Sequence, residues 1–152
     1  MNILITCFEP FGRWQHNPSG ETAQHLHGTT LGQAHITSQL LPVSFQHAAA
    51  PLLAALEAVR PDVVLSLGLG APGGFRVERV AVNRCEAPKG GDNAGYDPQG
   101  APILLTGPAL YQATLPVERI VARLSTLGFS VTPSDSAGTY LCNFVMYTAQ
   151  HY

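Results

Sequence analysis

Short apolar segments alternate along this chain with longer segments of helical periodicity, and this alternation limits the folds open to it. We predict strands at 2–7, 37–43, 62–67, 75–83 and 129–133. We predict that helices begin near residue 17 and cover 44–59, 116–127 and 139–152. Strands that alternate with helices form mostly parallel sheets that the helices cover. The pattern therefore predicts an α/β fold around a mostly parallel sheet.

The composition fits one domain with a weakly charged surface. The chain has 152 residues without an internal repeat or linker, so we treat 1–152 as a single domain. Charged residues make up 12%, about half of the usual ~25%, and the net charge is −2. This balance argues against nucleic-acid binding, which needs clustered lysine and arginine. A surface with so few charges favours self-association, so we expect a homo-oligomer.

Three features bear on where the protein works and on what it binds. No apolar run approaches the ~18 residues of a membrane span, and the N-terminus lacks the basic segment of a signal peptide. Cys7, Cys85 and Cys142 are an odd number without a close pair, which argues against disulfides and structural zinc. The six histidines show no metal-ligand spacing. We therefore expect a cytoplasmic protein that binds no metal and no membrane.

The most specific motif is Ser136–Asn143, which reads S-A-G-T-Y-L-C-N. A glycine turn leads there into a predicted helix, and Cys142 falls in the first turn of that helix. The positive end of a helix dipole lowers a thiol pKa and favours the nucleophilic thiolate. Cys142 is therefore a candidate nucleophile. The alternative is a buried cysteine that packs as a small apolar side chain.

A second motif, Phe75–Asn83, is predicted to be a strand that carries an acid on an apolar face. Glu78 shares that face with the valines two and four residues later. A buried carboxylate needs a hydrogen-bonding partner, which a histidine or an arginine could supply. The alternative is a surface ion pair between Glu78 and either Arg76 or Arg79.

Two loops complete the set of motifs. Phe8 and Phe11 are three residues apart in F-E-P-F-G after the first strand, where they could clamp a flat apolar ligand or cap the core. Gly68–Gly73 has the spacing G-x-G-x-x-G. A dinucleotide site needs a helix to begin within that motif, whereas a strand is predicted to follow here. A nucleotide-binding α/β domain remains an alternative that this loop alone supports.

Taken together, these motifs resemble those of the pyroglutamyl peptidases, cysteine peptidases that remove N-terminal pyroglutamate. The similarity runs in order along nearly the whole chain, through I-L-I-T-C-F-E-P-F-G, N-P-S, E-R-V-A-V-N and S-A-G-T-Y-L-C-N. The resemblance implies a three-layer α/β/α sandwich, no cofactor, a cytoplasmic setting and a homotetramer. It also implies substrates that are peptides with an N-terminal pyroglutamate (5-oxoproline).

The resemblance also assigns roles to individual residues. Cys142 would be the nucleophile that forms a thioester with the pyroglutamyl group, and Glu78 would be the acid of a Cys-His-Glu triad. The substrate pocket would be lined by Phe8, Phe11, Asn17, Tyr140 and Leu141. No residue is implied to bind a cofactor or a metal.

The sequence departs from the family at the general base. The resemblance places the catalytic histidine beyond Tyr152, after a strand and a loop that this chain does not contain. His151 would lie ~13 Å from Cys142 along one helix, at 1.5 Å rise per residue, which is too far for direct proton transfer. We therefore expect a chain that is truncated at its C-terminus and inactive alone. The alternative is a non-catalytic remnant that binds pyroglutamyl ends or associates with partners.

Overall fold

The computed structural model describes residues 1–152 and contains eight strands and four helices. In chain order the elements are β1 (Asn2–Phe8), α1 (Pro18–Leu26), β2 (Thr30–Leu31), β3 (Ala34–Leu41), α2 (Ala49–Val59), β4 (Val63–Ser66), β5 (Phe75–Glu78), β6 (Val80–Val82), β7 (Leu110–Gln112), α3 (Val117–Thr126), β8 (Val131–Ser134) and α4 (Leu141–His151). The predicted alternation of strands and helices is confirmed. The short strands β2 and β7 are additions to it.

The main sheet has four strands in the order β2-β3-β1-β4. Its central strand, β1, pairs in parallel with β3 on one side and with β4 on the other, so that Leu4 lies between Thr37 and Val64. β2 is antiparallel to β3. β5 and β8 form a separate parallel pair, and β6 and β7 form an antiparallel pair. An α/β fold with a mostly parallel sheet is therefore confirmed, with its strands divided among three sheets.

Successive side chains of β1 point to opposite faces of the main sheet, and helices cover both faces. On one face Leu4 belongs to a core of 13 buried residues, which includes Leu52 of α2 and Leu141 of α4. On the other face Ile5 packs with Ala23 of α1. The main sheet therefore lies between two helical layers, as the resemblance implies.

The first two helices show how local hydrogen bonds set a helix start. α1 begins where the sequence predicts, because the Asn17 side-chain oxygen accepts a 3.1 Å hydrogen bond from the Ser19 N–H and Pro18 needs no partner at the first position. α2 begins at residue 49 rather than at the predicted 44. The Ala48 N–H donates to the Ser44 carbonyl at 2.9 Å, so residues 44–48 form a turn before the helix.

The last two helices lie close to their predicted positions. α3 covers Val117–Thr126 and is followed by Gly128, whose left-handed φ of +87° ends the helix at low steric cost. α4 begins at Leu141, two residues after the predicted start at 139. None of the helices is both long enough and apolar enough to cross a membrane.

The predicted single strand at 75–83 is wrong, because this segment forms two strands in two different sheets. β5 ends at Glu78 and β6 begins at Val80. Between them the Arg79 N–H donates to the Ser134 carbonyl at 2.7 Å, while the Arg79 carbonyl accepts from the Ala113 N–H at 2.7 Å. The backbone therefore changes pairing partner at this residue. Glu78 lies at the end of a short strand and not within the apolar face of a long one.

Candidate active site

Cys142 is the second residue of α4, and it lies against the glycine turn that follows β4. Tyr140 precedes the helix in an extended conformation, and the φ of Gly138 is +75°, a left-handed value that favours glycine. A Cβ atom on Gly68 would lie 2.7 Å from Cys142 Sγ. The backbone at Gly68 can therefore approach the thiol this closely only because it carries no side chain.

The surroundings of Cys142 raise the pKa of its thiol above the usual value. Burial is the largest cause, because it removes the thiolate from water, and the negative charge of Glu78 acts in the same direction. The charge of Arg76 and a backbone hydrogen bond lower the pKa, but they do not outweigh the first two effects. The predicted position in the first turn is confirmed, whereas the predicted lowering of the pKa is wrong because loss of hydration dominates.

The two carboxylate oxygens of Glu78 lie in different environments. Oε1 is 3.6 Å from Arg76 Nε, in an ion pair along one strand. Oε2 is buried and has no hydrogen-bond partner. Arg79, the other candidate partner, pairs instead with Glu118 and Asp135. Glu78 therefore pairs with Arg76, one of the two arginines that the sequence suggested, and its Oε2 remains an unused hydrogen-bond acceptor.

A small cavity of about 40 Å³ opens beside Cys142. The structure brings together here all five residues that the resemblance places in the substrate pocket, namely Phe8, Phe11, Asn17, Tyr140 and Leu141. Cys142, Val43 and Leu69 complete the lining, and seven of the eight lining residues are hydrophobic. The Phe11 and Tyr140 rings are 6.4 Å apart between centroids. The proximity is a finding, while the roles of these residues remain predictions.

Sequence reasoning named neither Val43 nor Leu69 as a lining residue. Val43 lies just beyond the end of β3, and Leu69 lies just beyond the end of β4. These strands flank β1, which ends at Phe8. In a parallel sheet the carboxyl ends of neighbouring strands meet at one edge, where ligands commonly bind. The strand order, once known, is the signal that would have found both residues.

A much larger trough of about 1420 Å³ adjoins the cavity. Residues of β4, β5, α3 and α4 line it; Cys142 lines both spaces, and Glu78 lines the trough. No histidine lines either space. His151 Nδ1 lies 2.7 Å from the hydroxyl oxygen of Tyr111, which lines neither. The candidate nucleophile and the candidate acid therefore share one space that contains no imidazole of this chain.

Two other kinds of site can be compared with the structure. The Gly68–Gly73 loop is followed by β5 and not by a helix, so it lacks the helix N-terminus that holds a pyrophosphate in a dinucleotide site. No group of three or more histidine, cysteine, aspartate or glutamate side chains is arranged so that it could hold a metal ion. The cysteine and its apolar cavity are therefore the remaining candidate for a catalytic site.

The fold and the site together define a class of protein. An α/β fold that presents a cysteine from a helix start to an apolar cavity has two of the parts that a cysteine peptidase uses for nucleophilic acyl transfer, a candidate nucleophile and a pocket. The family model described as pyroglutamyl peptidase matches residues 1–152. The chain therefore belongs to the pyroglutamyl peptidase family, as its motifs predict.

Individual relatives and solved structures agree with this assignment. The chain is 45% identical to the pyrrolidone-carboxylate peptidase of Chromobacterium violaceum over 150 residues. This alignment covers 98% of this chain and 71% of the relative. A mutant pyrrolidone carboxyl peptidase from Pyrococcus furiosus superposes with a TM-score of 0.96 at 38% identity, covering 99% of this chain and 73% of that one. The pyrrolidone carboxyl peptidase from Thermococcus litoralis gives a TM-score of 0.95 at 41% identity, covering 99% and 68%.

Proposed function

We propose that this chain is a cysteine peptidase that releases N-terminal pyroglutamate from peptides, with Cys142 as the nucleophile. The observation that carries the proposal is the lining of the 40 Å³ cavity, where Cys142 meets an apolar wall that includes Phe8, Phe11 and Tyr140. A pyroglutamyl residue is a flat lactam without a free α-amine. A small aromatic cavity suits such a ring, whereas an ordinary aminopeptidase site needs an anionic group for the ammonium.

The proposed reaction is acyl transfer through a thioester. The Cys142 thiolate adds to the pyroglutamyl carbonyl carbon, and the negative charge moves to the carbonyl oxygen, where first-turn N–H groups of α4 can stabilise it. The tetrahedral intermediate collapses as the C–N bond breaks, and the leaving amine takes up a proton. Water then adds to the thioester, releasing pyroglutamate and restoring the thiol.

The proton transfers in this scheme need a base near Cys142. The thiol pKa is raised, so the thiol is mostly protonated at neutral pH, and neither space beside it contains a histidine. Glu78 Oε2 offers a free acceptor in the trough that could hold the N–H of an imidazole. We therefore expect no turnover by the chain alone and measurable turnover when imidazole is supplied in solution.

The direct test is hydrolysis of a fluorogenic pyroglutamyl amide by the purified chain, with and without added imidazole. Cys142→Ala is the control, because it removes the nucleophile but leaves the other seven lining residues in place. We expect imidazole-dependent turnover that is absent from Cys142→Ala. If the folded chain binds a pyroglutamyl amide and never cleaves it, even with imidazole, the catalytic proposal is wrong and the non-catalytic binding protein replaces it.

We further propose that residues 1–152 act as one domain, in the cytoplasm, as a homotetramer that binds neither nucleic acid nor membranes. The low charged fraction of 12% and net charge of −2 support self-association and oppose nucleic-acid binding. Three free cysteines suit a reducing compartment. Light scattering during size-exclusion chromatography tests the assembly, and a monomer at micromolar concentration would contradict it.

A further inference from the structure

One residue of the F-E-P-F-G motif is not explained by the proposed reaction. Glu9 lies between the two phenylalanines that line the cavity, yet it does not line the cavity itself. Its carboxylate oxygen Oε1 accepts two hydrogen bonds, from the Val43 N–H at 3.0 Å and from Asn93 Nδ2 at 2.9 Å. Val43 is a cavity-lining residue that follows a different strand. The Glu9 carboxylate therefore joins two walls of the same cavity.

The backbone of Glu9 extends these connections. Its N–H donates to the Leu41 carbonyl at 3.1 Å, and its carbonyl accepts from Asn17 Nδ2 at 3.0 Å. Asn17 lines the cavity and also caps α1 through Ser19. Half of the lining residues therefore belong to segments that are tied together at Glu9, namely Phe8, Phe11, Asn17 and Val43.

Asn93 holds the same assembly from a distant part of the chain. Its Nδ2 donates to the Pro10 carbonyl at 3.0 Å as well as to Glu9, and its backbone N–H donates to the Val43 carbonyl at 2.9 Å. Its neighbour Asp92 fixes this loop, because the buried carboxylate accepts hydrogen bonds from several backbone N–H groups, including that of Phe45 at 2.8 Å. The turn between the two phenylalanines is thus braced from outside the cavity.

We infer that Glu9, braced by Asn93, is a positioning residue that sets the width of the cavity and so its selectivity for a five-membered lactam ring. The inference rests on the proposed function of the cavity. The cavity is small, about 40 Å³, so a small displacement of the Phe8–Phe11 turn changes its width by a large fraction. The opposite wall, from Tyr140 to Cys142, does not depend on this carboxylate, since it belongs to α4 and its cap.

The test measures how well two lactams, 2-pyrrolidone and the six-membered 2-piperidone, protect Cys142 from alkylation by iodoacetamide. Mass spectrometry of the Cys142 peptide gives the labelling rate, so no turnover is needed. We expect Glu9→Ala to weaken protection by 2-pyrrolidone about tenfold and to shrink its preference over 2-piperidone, which corresponds to the loss of one or two hydrogen bonds. Asn93→Ala keeps the hydrogen bond from the Val43 N–H to the Glu9 carboxylate, so it should weaken protection and ring preference less than Glu9→Ala does.

Two further variants separate positioning from a general loss of stability. Glu9→Gln keeps an acceptor at the same place, so it should retain the wild-type preference. Asn83→Ala is the matched control: the Asn83 side chain makes three hydrogen bonds, to Leu104 and Gly107, one more than the Glu9 carboxylate makes, in a loop that does not line the cavity. Asn83→Ala should lower stability without changing ring preference.

The outcomes distinguish the inference from the function on which it rests. If 2-pyrrolidone does not protect wild-type Cys142, the proposed lactam site is wrong and the inference falls with it. If wild type is protected and Glu9→Ala keeps the same affinity and the same ring preference, only the positioning role is wrong. If Asn83→Ala changes the preference as much as Glu9→Ala does, the effect is general and the positioning role is again contradicted.

Discussion

The main sheet and the region around α3 differ sharply in how well they are packed. In β1 the last five residues are all buried, and they lie beside clusters that include residues of α1, α2 and α4. In α3 only Val117 is buried, and no residue of β5 or β8 is. The apolar residues Ile120 and Leu124 of α3 line the open trough. The apolar run of β1 and the apolar face of α3 therefore reach very different degrees of burial.

This difference in packing matters because one candidate catalytic residue lies in each of the two regions. Cys142 lies on α4, whose neighbours Leu141, Phe144 and Val145 are part of the main core. Glu78 lies on β5, which contributes no residue to either buried cluster. The nucleophile is thus held by a dense core, while its acidic neighbour is held by a lightly buried strand pair. We expect the position of Glu78 relative to Cys142 to be the softer part of the site.

The largest expected effect compares one leucine from each region. Leu52→Ala in α2 removes a fully buried side chain from the main core and should lower the free energy of unfolding by ~3 kcal/mol. Leu124→Ala in α3 removes a partly exposed side chain and should cost less than ~1 kcal/mol. Urea unfolding followed by circular dichroism measures both. Equal losses would show that the α3 region is as well packed as the main core.

A smaller effect on stability is expected at Asn143, which links α4 to β6. The fully buried Asn143 side chain accepts from the Val82 N–H at 2.8 Å and donates to the carbonyls of Val82 and Arg84 at 2.9 Å each. Asn143→Ala leaves these buried groups unpaired and should lower the free energy of unfolding by ~2 kcal/mol. Gln150→Ala, later on the same helix, is the control and should change it by less than ~0.5 kcal/mol. A neutral Asn143→Ala would mean that other contacts hold α4 to β6.

The smallest expected effect is electrostatic and follows the signs of the charges near Cys142. The wild-type thiol should react with iodoacetamide half-maximally at a pH above that of an unperturbed cysteine, because burial and Glu78 raise its pKa. Glu78→Gln removes a negative charge, so the pKa falls and labelling at neutral pH becomes faster. Arg76→Gln removes a positive charge, so the pKa rises and labelling becomes slower. Identical pH profiles for all three proteins would show that β5 does not influence the nucleophile.

The sequence predicted the elements well wherever a pattern was local. The apolar run at 2–7 became β1, and the N-P-S turn became the capped start of α1. The five predicted pocket residues are together because they lie within three motifs, each at the end of a strand or the start of a helix. Local patterns of this kind are therefore sufficient to indicate both the α/β fold and the family.

The features that the sequence did not predict depend on contacts between distant segments. Arg79 divides one predicted strand into two because its hydrogen-bond partners lie far along the chain. The thiol pKa of Cys142 is raised and not lowered, because burial is the largest effect. The helix dipole can be predicted from the sequence of α4 alone, whereas burial depends on how α4 packs against the rest of the chain. Val43 and Leu69 reach the cavity through strand order. Each of these requires the tertiary structure.

The contact between Gly68 and Cys142 makes these two positions compete for one volume. The φ of Gly68 is not left-handed, so its backbone alone would tolerate a side chain; only the sulfur, 2.7 Å from a would-be Cβ, forbids it. Once that sulfur is gone, the next atom, Phe8 Cε2, is at an ordinary 3.9 Å. An alanine at residue 68 is therefore harmful beside a cysteine and harmless beside Cys142→Ala. The effect of a substitution at residue 68 therefore depends on residue 142: keeping the thiol obliges the chain to keep the glycine, and a lineage that lost the thiol would be free to lose the glycine as well.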